Sequence, residues 1–558
     1  MNTLAPLSRR QWFGQMSAPV VASVAGSSLL AAAASGSETS PDRLGGARIH
    51  NIRDHGALGD GTALDTAAIQ AAIDACHAAR GGIVLVPAGD FLSGTLELKS
   101  FVTLHLAAGA RLLGSGNPAD YHAGSGVPPG NGNIVLLSAA NAEHVAIEGT
   151  GTIDGNGARF YTGRGDMTGP GQNSAEGYFQ RPHLLVFYRC HNLRIRDVFL
   201  TASAYHCLRT IECRHVHYTG VRILNRVNKN NDGFHLVSNQ YLHLVDCDVQ
   251  CQDDACALFG SNQWVTITNC SFSTRWSVFR FGGGNPENIA ISNCLIYDTF
   301  GCPVKMRFGR TSRAQNILFS NLVMQNVTGP ISVGCDHRPR PGGAVSDPPP
   351  VPGFVRNLAF RGIRATVVAE GRQYPDMPWE QVYRPGEVRT CFVFNGAGGA
   401  LLEDISLDDV QATFEGGGTA AEARAAVPEV AGEYFEIGTP PAYGLYARGV
   451  RGLTLHNVRL ARSKPDLRPA VVLERVRDVA INGLAAQGSA EAEALLRFTD
   501  TQDVLVTAPR VLAPAAVFLQ VEGAATANVT VDGGDLTKAA RSWVAAKGAD
   551  PSAIRVRG

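Results

Sequence analysis

The chain has 558 residues, with 49 basic and 49 acidic side chains and no formal net charge. That balance excludes global steering toward nucleic acid or anionic membranes, so an acidic ligand must be held by local Arg and Lys. Glycine is abundant (62 residues) and charged residues make up only 18%, which suits many short strands joined by tight turns.

The chain opens on an address. Ser8-Arg9-Arg10-Gln11-Trp12-Phe13 resembles the twin-arginine export motif, and a weakly apolar, Ala-rich stretch runs from about Ser17 to Ala34. Residues 1–36 are therefore expected to be a signal peptide and 37–49 a linker. The product is expected in the periplasm or outside the cell. No other run is long and apolar enough to anchor it, so no stable membrane association is expected after processing. The 12 cysteines form no CxxC pair. Cys247, Cys251 and Cys256 lie close in sequence but lack a zinc-like pattern, so neither metal nor cofactor is expected. Twin-arginine substrates are expected to fold in a reducing compartment, so no disulfide is assumed.

Residues 50–115 read as a lead-in with a cap. Ile69, Ala72, Ile73 and Cys76 fall on one helical face between about residues 66 and 79, with Asp65 placed to cap the helix. Such a helix suits the open end of a strand stack, where unpaired backbone invites aggregation. Beyond the cap, self-similarity dominates the chain. Short alternating apolar runs end at Val198, Val221, Cys247, Cys270, Cys294 and Leu322, with spacings of 23, 26, 23, 24 and 28. An Asn, Asp or Gly stands before most of these anchors. Later copies lie at Val410, Val458 and Leu484, and the step of 48 from Val410 to Val458 reads as two periods. A strand-rich period near 24 with no helical spacing predicts an all-β fold, a parallel β-helix whose turns stack at about 4.8 Å. The recurrent Asn and Cys are expected to form an internal ladder. Residues 338–352 and 416–443 break the period and are expected to be insertions.

Residues at equal phase form columns. Asp232, Asp253, Asp254, Arg280, Lys305 and Arg307 each lie 14 to 17 residues before an anchor, which places acids and bases on one face. Adjacent carboxylates shift one another's pKa, as glycosidic cleavage requires of an acid and a base. Asn-Asp-Gly and Asp-Asp are also common turn formers, so spacing alone leaves a solvated turn open.

The motifs narrow this. Asn230-Asn231-Asp232-Gly233 resembles the Asn-Thr-Asp-Gly motif of glycoside hydrolase family 28, the polygalacturonase and rhamnogalacturonase family of pectate-lyase-like β-helices. Gln252-Asp253-Asp254-Ala255 resembles its Asp-Asp motif, about one coil later. Gly149-Thr150-Gly151-Thr152-Ile153-Asp154-Gly155-Asn156-Gly157 resembles its glycine-rich turn, and residues 51–65 resemble the lead-in of such β-helices. The resemblance covers about residues 50–340 well and the remainder more loosely. It implies a right-handed, single-stranded parallel β-helix over 50–558. It also implies an inverting glycoside hydrolase acting on an acidic, pectic polysaccharide or oligosaccharide, with Asp253 as general acid and Asp232 and Asp254 activating water.

Two departures stand out. Arg275-Trp276-Ser277 falls where the family has Gly-His-Gly, so its histidine is missing, and Trp276 offers only a ring for a sugar to stack on. The family's Arg-Ile-Lys appears as Lys305-Met306-Arg307, with both cations kept for a uronate carboxylate. Arg280 is an added cation. His337 aligns with a family Tyr that lines the sugar site, and His235 and His337 are candidate stand-ins for the missing histidine. A rhamnogalacturonan-like or otherwise modified acidic glycan fits these departures better than plain polygalacturonate. Two rivals stand beside the hydrolase. One is a polyuronide lyase on the same scaffold, with Arg280 and Arg307 neutralising the carboxylate. The other is a non-catalytic glycan-binding β-helix, against which the three acids argue. The protein is expected to be a monomer that binds no nucleic acid.

Overall fold

The structure, a computed structural model, describes residues 48–127, 134–160, 181–338, 351–431 and 434–557. The export segment and most of the 338–352 stretch lie outside these. The fold is a right-handed parallel β-helix. Among the described residues the strands form one 27-stranded sheet and one 15-stranded sheet, with parallel pairing throughout. The second sheet carries the site. The strands that build and flank it are β1 (Leu208–Ile211), β2 (Phe234–Val237), β3 (Cys256–Phe259), β4 (Phe279–Gly282), β5 (Val304–Phe308), β6 (Ile331–Asp336), β7 (Phe392–Ala397) and β8 (Leu445–Arg448).

The repeat has a backbone cause. Asp197, Gly220, Asp246, Asn269, Asn293, Asn321, Asp409 and Asn457 all adopt left-handed φ values between 50° and 63°. Asn and Asp tolerate that region, so they mark the bend between two strands of a coil. The residue after each turns inward: Val198, Val221, Cys247, Cys270, Cys294, Leu322, Val410 and Val458 are all at most 2% exposed. The expected internal ladder therefore divides. Cysteines stack inside, with the Cys247 amide donating to Cys270 Sγ at 3.3 Å. Asparagines stack outside, with Asn321 Nδ2 donating to Asn293 Oδ1 at 3.1 Å. All 12 cysteines are buried free thiols.

Two sequence expectations are corrected. Val410 pairs directly with Val458, so the 48-residue step is one long coil, not two periods. The insertion at 416–443 rides on that coil and contains short helices at Ala420–Arg424 and Tyr434–Ile437. Asp65 stands at the N-cap of helix α1 (Thr66–Ala78), yet its side chain does not cap it. Its carboxylate instead accepts from the Leu58 and Gly59 amides at 2.7 and 3.0 Å, closing the preceding loop. The helix buries Ile69, Ala72, Ile73 and Cys76 against the first strands.

Candidate active site

The three carboxylates come from turns that enter neighbouring strands. Asp232 is two residues before β2 and Asp254 two before β3, and Phe234 pairs with Cys256 in register. Asp232 and Asp254 thus occupy equivalent places on adjacent coils, with Asp253 one residue earlier. The turns are tied down from below. Asn231 Nδ2 donates to the Ser203 and Tyr205 carbonyls, both at 2.9 Å, and the Asn231 carbonyl accepts from the Gln252 and Asp253 amides at 3.2 and 3.1 Å. Asn225 Nδ2 donates to the Asp232 carbonyl at 3.0 Å. At Gly233 a Cβ would sit 2.5 Å from the Ala255 carbonyl oxygen, so only glycine lets the two turns stack.

Burial shifts the titration of the cluster. Asp232, Asp253 and Asp254 are 4%, 6% and 6% exposed. Desolvation pushes the Asp232 carboxyl well above the usual carboxylate range, and the charge of Asp254 adds to it while Arg209 opposes it. Desolvation pushes Asp253 up as well, reinforced by Asp232 and Asp254 and opposed by Lys305. Three carboxyls in so dry a corner cannot all ionise, so the cluster holds a proton and behaves as one titrating unit. Asn230 Nδ2 reaches Asp253 Oδ2 at 3.4 Å, and Arg181 Nη2 holds Asn230 Oδ1 at 3.2 Å.

Phase counting places acids and bases on one face; the structure resolves two columns. The acids sit at the turns. Arg280 and Lys305 sit on the strands in one register row with Arg209, His235 and Ala257. Lys305 is 2% exposed, with Nζ 4.6 Å from the centroid of the Trp276 ring. Arg307, two residues on, faces the same side with its side chain 44% exposed, 3.5 Å from Glu436. Arg280 lies over Phe259 at 5.8 Å. In place of the family's Gly-His-Gly, Arg275 is buried and held by Glu387 at 3.1 Å and the Val382 carbonyl at 2.8 Å. Trp276 takes the place equivalent to Asp253 on the next coil. His337 lies just past β6, at the opposite strand ends and three strands from the Asp-Asp turn, so the structure does not bring it to the carboxylates.

His235 does reach them. Its Nδ1 is 2.7 Å from Asp232 Oδ2. The ring stacks on His206 at 4.2 Å and 14°, and His206 stacks on Tyr205 at 4.1 Å and 23°. Burial and Arg209 push His235 down to about 3, and burial, then His235, His183 and the Arg209 and Arg181 guanidiniums, push His206 well below the usual histidine range. Donor atoms of His206, Asp232 and His235 lie within 4.8 Å of one another. They do not suit a metal ion, because lone pairs of near-parallel rings run side by side instead of converging on one point.

Two segments wall the site. Residues 368–391 close one side, where Phe300, Val368, Tyr374 and Met377 form a small separate core. Tyr374 Oη donates to the Thr274 carbonyl at 2.7 Å, and Arg226 pairs with Asp376 at 3.0 Å. On the other side a cleft of about 1210 Å³ opens beyond Phe259, lined by Arg280, Arg307, Arg310, Arg338 and Glu436. It ends at residues 427–431, which are pinned onto the sheet. Asn395 Nδ2 donates to the Val430 carbonyl at 2.7 Å, and the buried Arg448 donates to the Val427 and Pro428 carbonyls at 2.8 and 2.7 Å. A Cβ at Gly334, in register with Arg307, would sit 2.3 Å from the Ala431 carbonyl oxygen. Sequence reasoning misses the 368–391 wall and Arg181, His206, Arg209 and Arg226. The aromatic and proline run Tyr374-Pro375-Asp376-Met377-Pro378-Trp379 is the available signal for the wall.

Residues 76–374 match the family described as glycosyl hydrolases family 28. The chain belongs to that family. An exo-poly-alpha-D-galacturonosidase from Dickeya chrysanthemi is 32% identical over 337 residues, which cover 50% of this chain and 56% of that one. The chain thus spans little more than half the length of that relative. In fold it resembles an exopolygalacturonase from Thermotoga maritima, with a TM-score of 0.56, 18% identity and coverage of 74% of this chain and 92% of that one. A family 28 exopolygalacturonase from Yersinia enterocolitica gives a TM-score of 0.54, 19% identity and coverage of 78% and 79%.

Proposed function

We propose that the protein is an exported glycoside hydrolase that cleaves an acidic, galacturonan-type pectic chain with inversion. The observation that carries this reading is three buried carboxyls sharing one dry corner beside a buried lysine. Asp253 holds the proton and gives it to the leaving glycosidic oxygen. Asp232 and Asp254 take a proton from water as it attacks the anomeric carbon from the opposite face. Lys305 and Arg280 on the adjoining row, with Arg307 two residues further along its strand, bind uronate carboxylates, and Trp276 offers a ring edge to the sugar beside Lys305. Inversion and the division of roles among the three Asp are carried over from the family.

The walls favour attack at a chain end. A polymer lying along β3 to β5 meets the pinned 427–431 segment at β6, so the cleft accepts an end more readily than a continuous strand. The names of the Dickeya, Thermotoga and Yersinia relatives agree with that mode. The test is reducing-end release from polygalacturonate and rhamnogalacturonan, with ultraviolet absorbance read in parallel. New reducing ends without absorbance support hydrolysis. Rising absorbance would transfer the protein to the lyases, and glycan binding with neither signal would leave a binding module.

A further inference from the structure

We propose that His235 is a positioning residue that replaces the family's missing histidine by working on the water-activating side, fixing Asp232 through an Nδ1–H donor. This rests on the hydrolase reading above. Asp232 and His235 stand at i and i+3 around the start of β2, and their 2.7 Å contact is the closest polar contact of the Asp232 carboxylate among the described residues. When Asp232 is ionised it only accepts, so Nδ1 carries the hydrogen and Oδ2 is occupied. Oδ1 is left to face the attacking water.

The ring is built to stay in that pose. Strand β2 fixes its backbone in register between Arg209 and Ala257. One face packs on His206 and the other side meets Phe259 at 5.2 Å. The column continues through Tyr205 to the Arg181 guanidinium, 4.7 Å above that ring. Arg209, next in the row, disfavours a second proton on the imidazole. A neutral imidazole donates one hydrogen bond without lowering the basicity of Asp232 as a full positive charge would. The position that normally carries the family histidine holds Arg275 and Trp276, and Arg275 is committed to Glu387 and the 368–391 wall. The imidazole that contacts a carboxylate of the cluster thus comes from the strand after Asp232, not from the coil after Asp253.

The groups facing Asp232 are His206 and Arg209 from the coil of β1, His235 from its own coil, and Asp253 and Asp254 from the next. Removing the Nδ1 donor withdraws support from the ionised form, so the carboxyl pKa rises and the acidic limb of the pH–rate profile moves to higher pH. Two variants separate this from packing. His235→Phe keeps the ring stack and loses the donor; His235→Asn keeps a donor near the Nδ1 position and loses the ring. The expected result is a fall in kcat of about a hundredfold for His235→Phe, with little change in KM and the acidic limb moved up. His235→Asn should recover most of that kcat and restore the limb, with melting curves confirming both folds. If His235→Phe keeps wild-type kcat and an unmoved acidic limb, or if His235→Asn is as slow as His235→Phe, the inference fails. Failure of the hydrolase reading would look different, since the wild-type protein itself would then release no reducing ends.

Discussion

The carboxylate corner and the cationic cleft share one sheet, and they solve opposite problems. The corner is dry, its three acids nearly fully buried, and its turns are tied by the Asn231 carbonyl, which accepts from two backbone amides, and by the Asn225 side chain, which donates to the Asp232 carbonyl. The cleft is wide and open, about 1210 Å³, and is lined by Arg280 and Arg307 from strands and by Arg310 and Arg338 from just past β5 and β6. Burial raises the stakes of each charge in the corner, whereas water screens each charge in the cleft. On the proposed reading the contrast separates chemistry from recognition, and it orders the expected effects of mutation.

The largest effect is expected in the corner. Asp253→Asn should lower kcat by about a thousandfold or more, read as reducing-end release, with a melting temperature no lower than that of the wild type. Wild-type turnover in that variant would remove Asp253 from the role of acid. Next comes the boundary of the cleft. Arg448→Ala removes two donors to the 427–431 segment and one to Asn395. It should cost about 3 kcal/mol of stability and shift products from chain-end fragments toward mid-chain cleavage, read by product sizing. An unchanged product ladder would detach the 427–431 segment from the mode of attack. A smaller effect is expected at Arg307, which is solvent-exposed and screened. Arg307→Ala should raise KM roughly fivefold with kcat nearly unchanged, and added salt should narrow the gap.

The smallest effect tests the cost of the corner. Asp232 and Asp253 have folded pKa values above their unfolded ones, so the native state binds more protons. Stability contributed by the protonated forms is fully present below the ordinary carboxylate range and is lost as pH rises through the raised values. The wild type should therefore lose stability between mildly acidic and neutral pH. Asp232→Asn should flatten that slope and melt slightly higher at neutral pH. A steeper slope in the variant would mean that the carboxylate is stabilised when charged.

The repeat shows why much of this is legible in the sequence. Asn269 and Asn293 mark left-handed bends, and Cys270 and Cys294 point inward after them, because a local backbone requirement recurs once per coil. Where coils lengthen, the period no longer reports the register. That is why the step from Val410 to Val458 reads as two periods although it is one coil, and why the 368–391 wall escapes a periodicity argument. Phase counting also merges two columns, because a turn residue and a strand residue three apart differ by no more than the spread of the counts, 14 to 17.

By itself the sequence determined the β-helix, the stacking of Asp232 with the Asp253-Asp254 pair, and the shared strand face of Lys305 and Arg307. Each follows from alternation and from short motifs whose geometry is local. Only the tertiary structure decided that His235 and not His337 meets the carboxylates, that Arg275 is spent on the 368–391 wall, and that residues 427–431 end the cleft. The Asp232–His235 contact is local but its geometry is set by stacking on His206 from the coil before, and the other two outcomes depend on contacts between residues tens of positions or more apart.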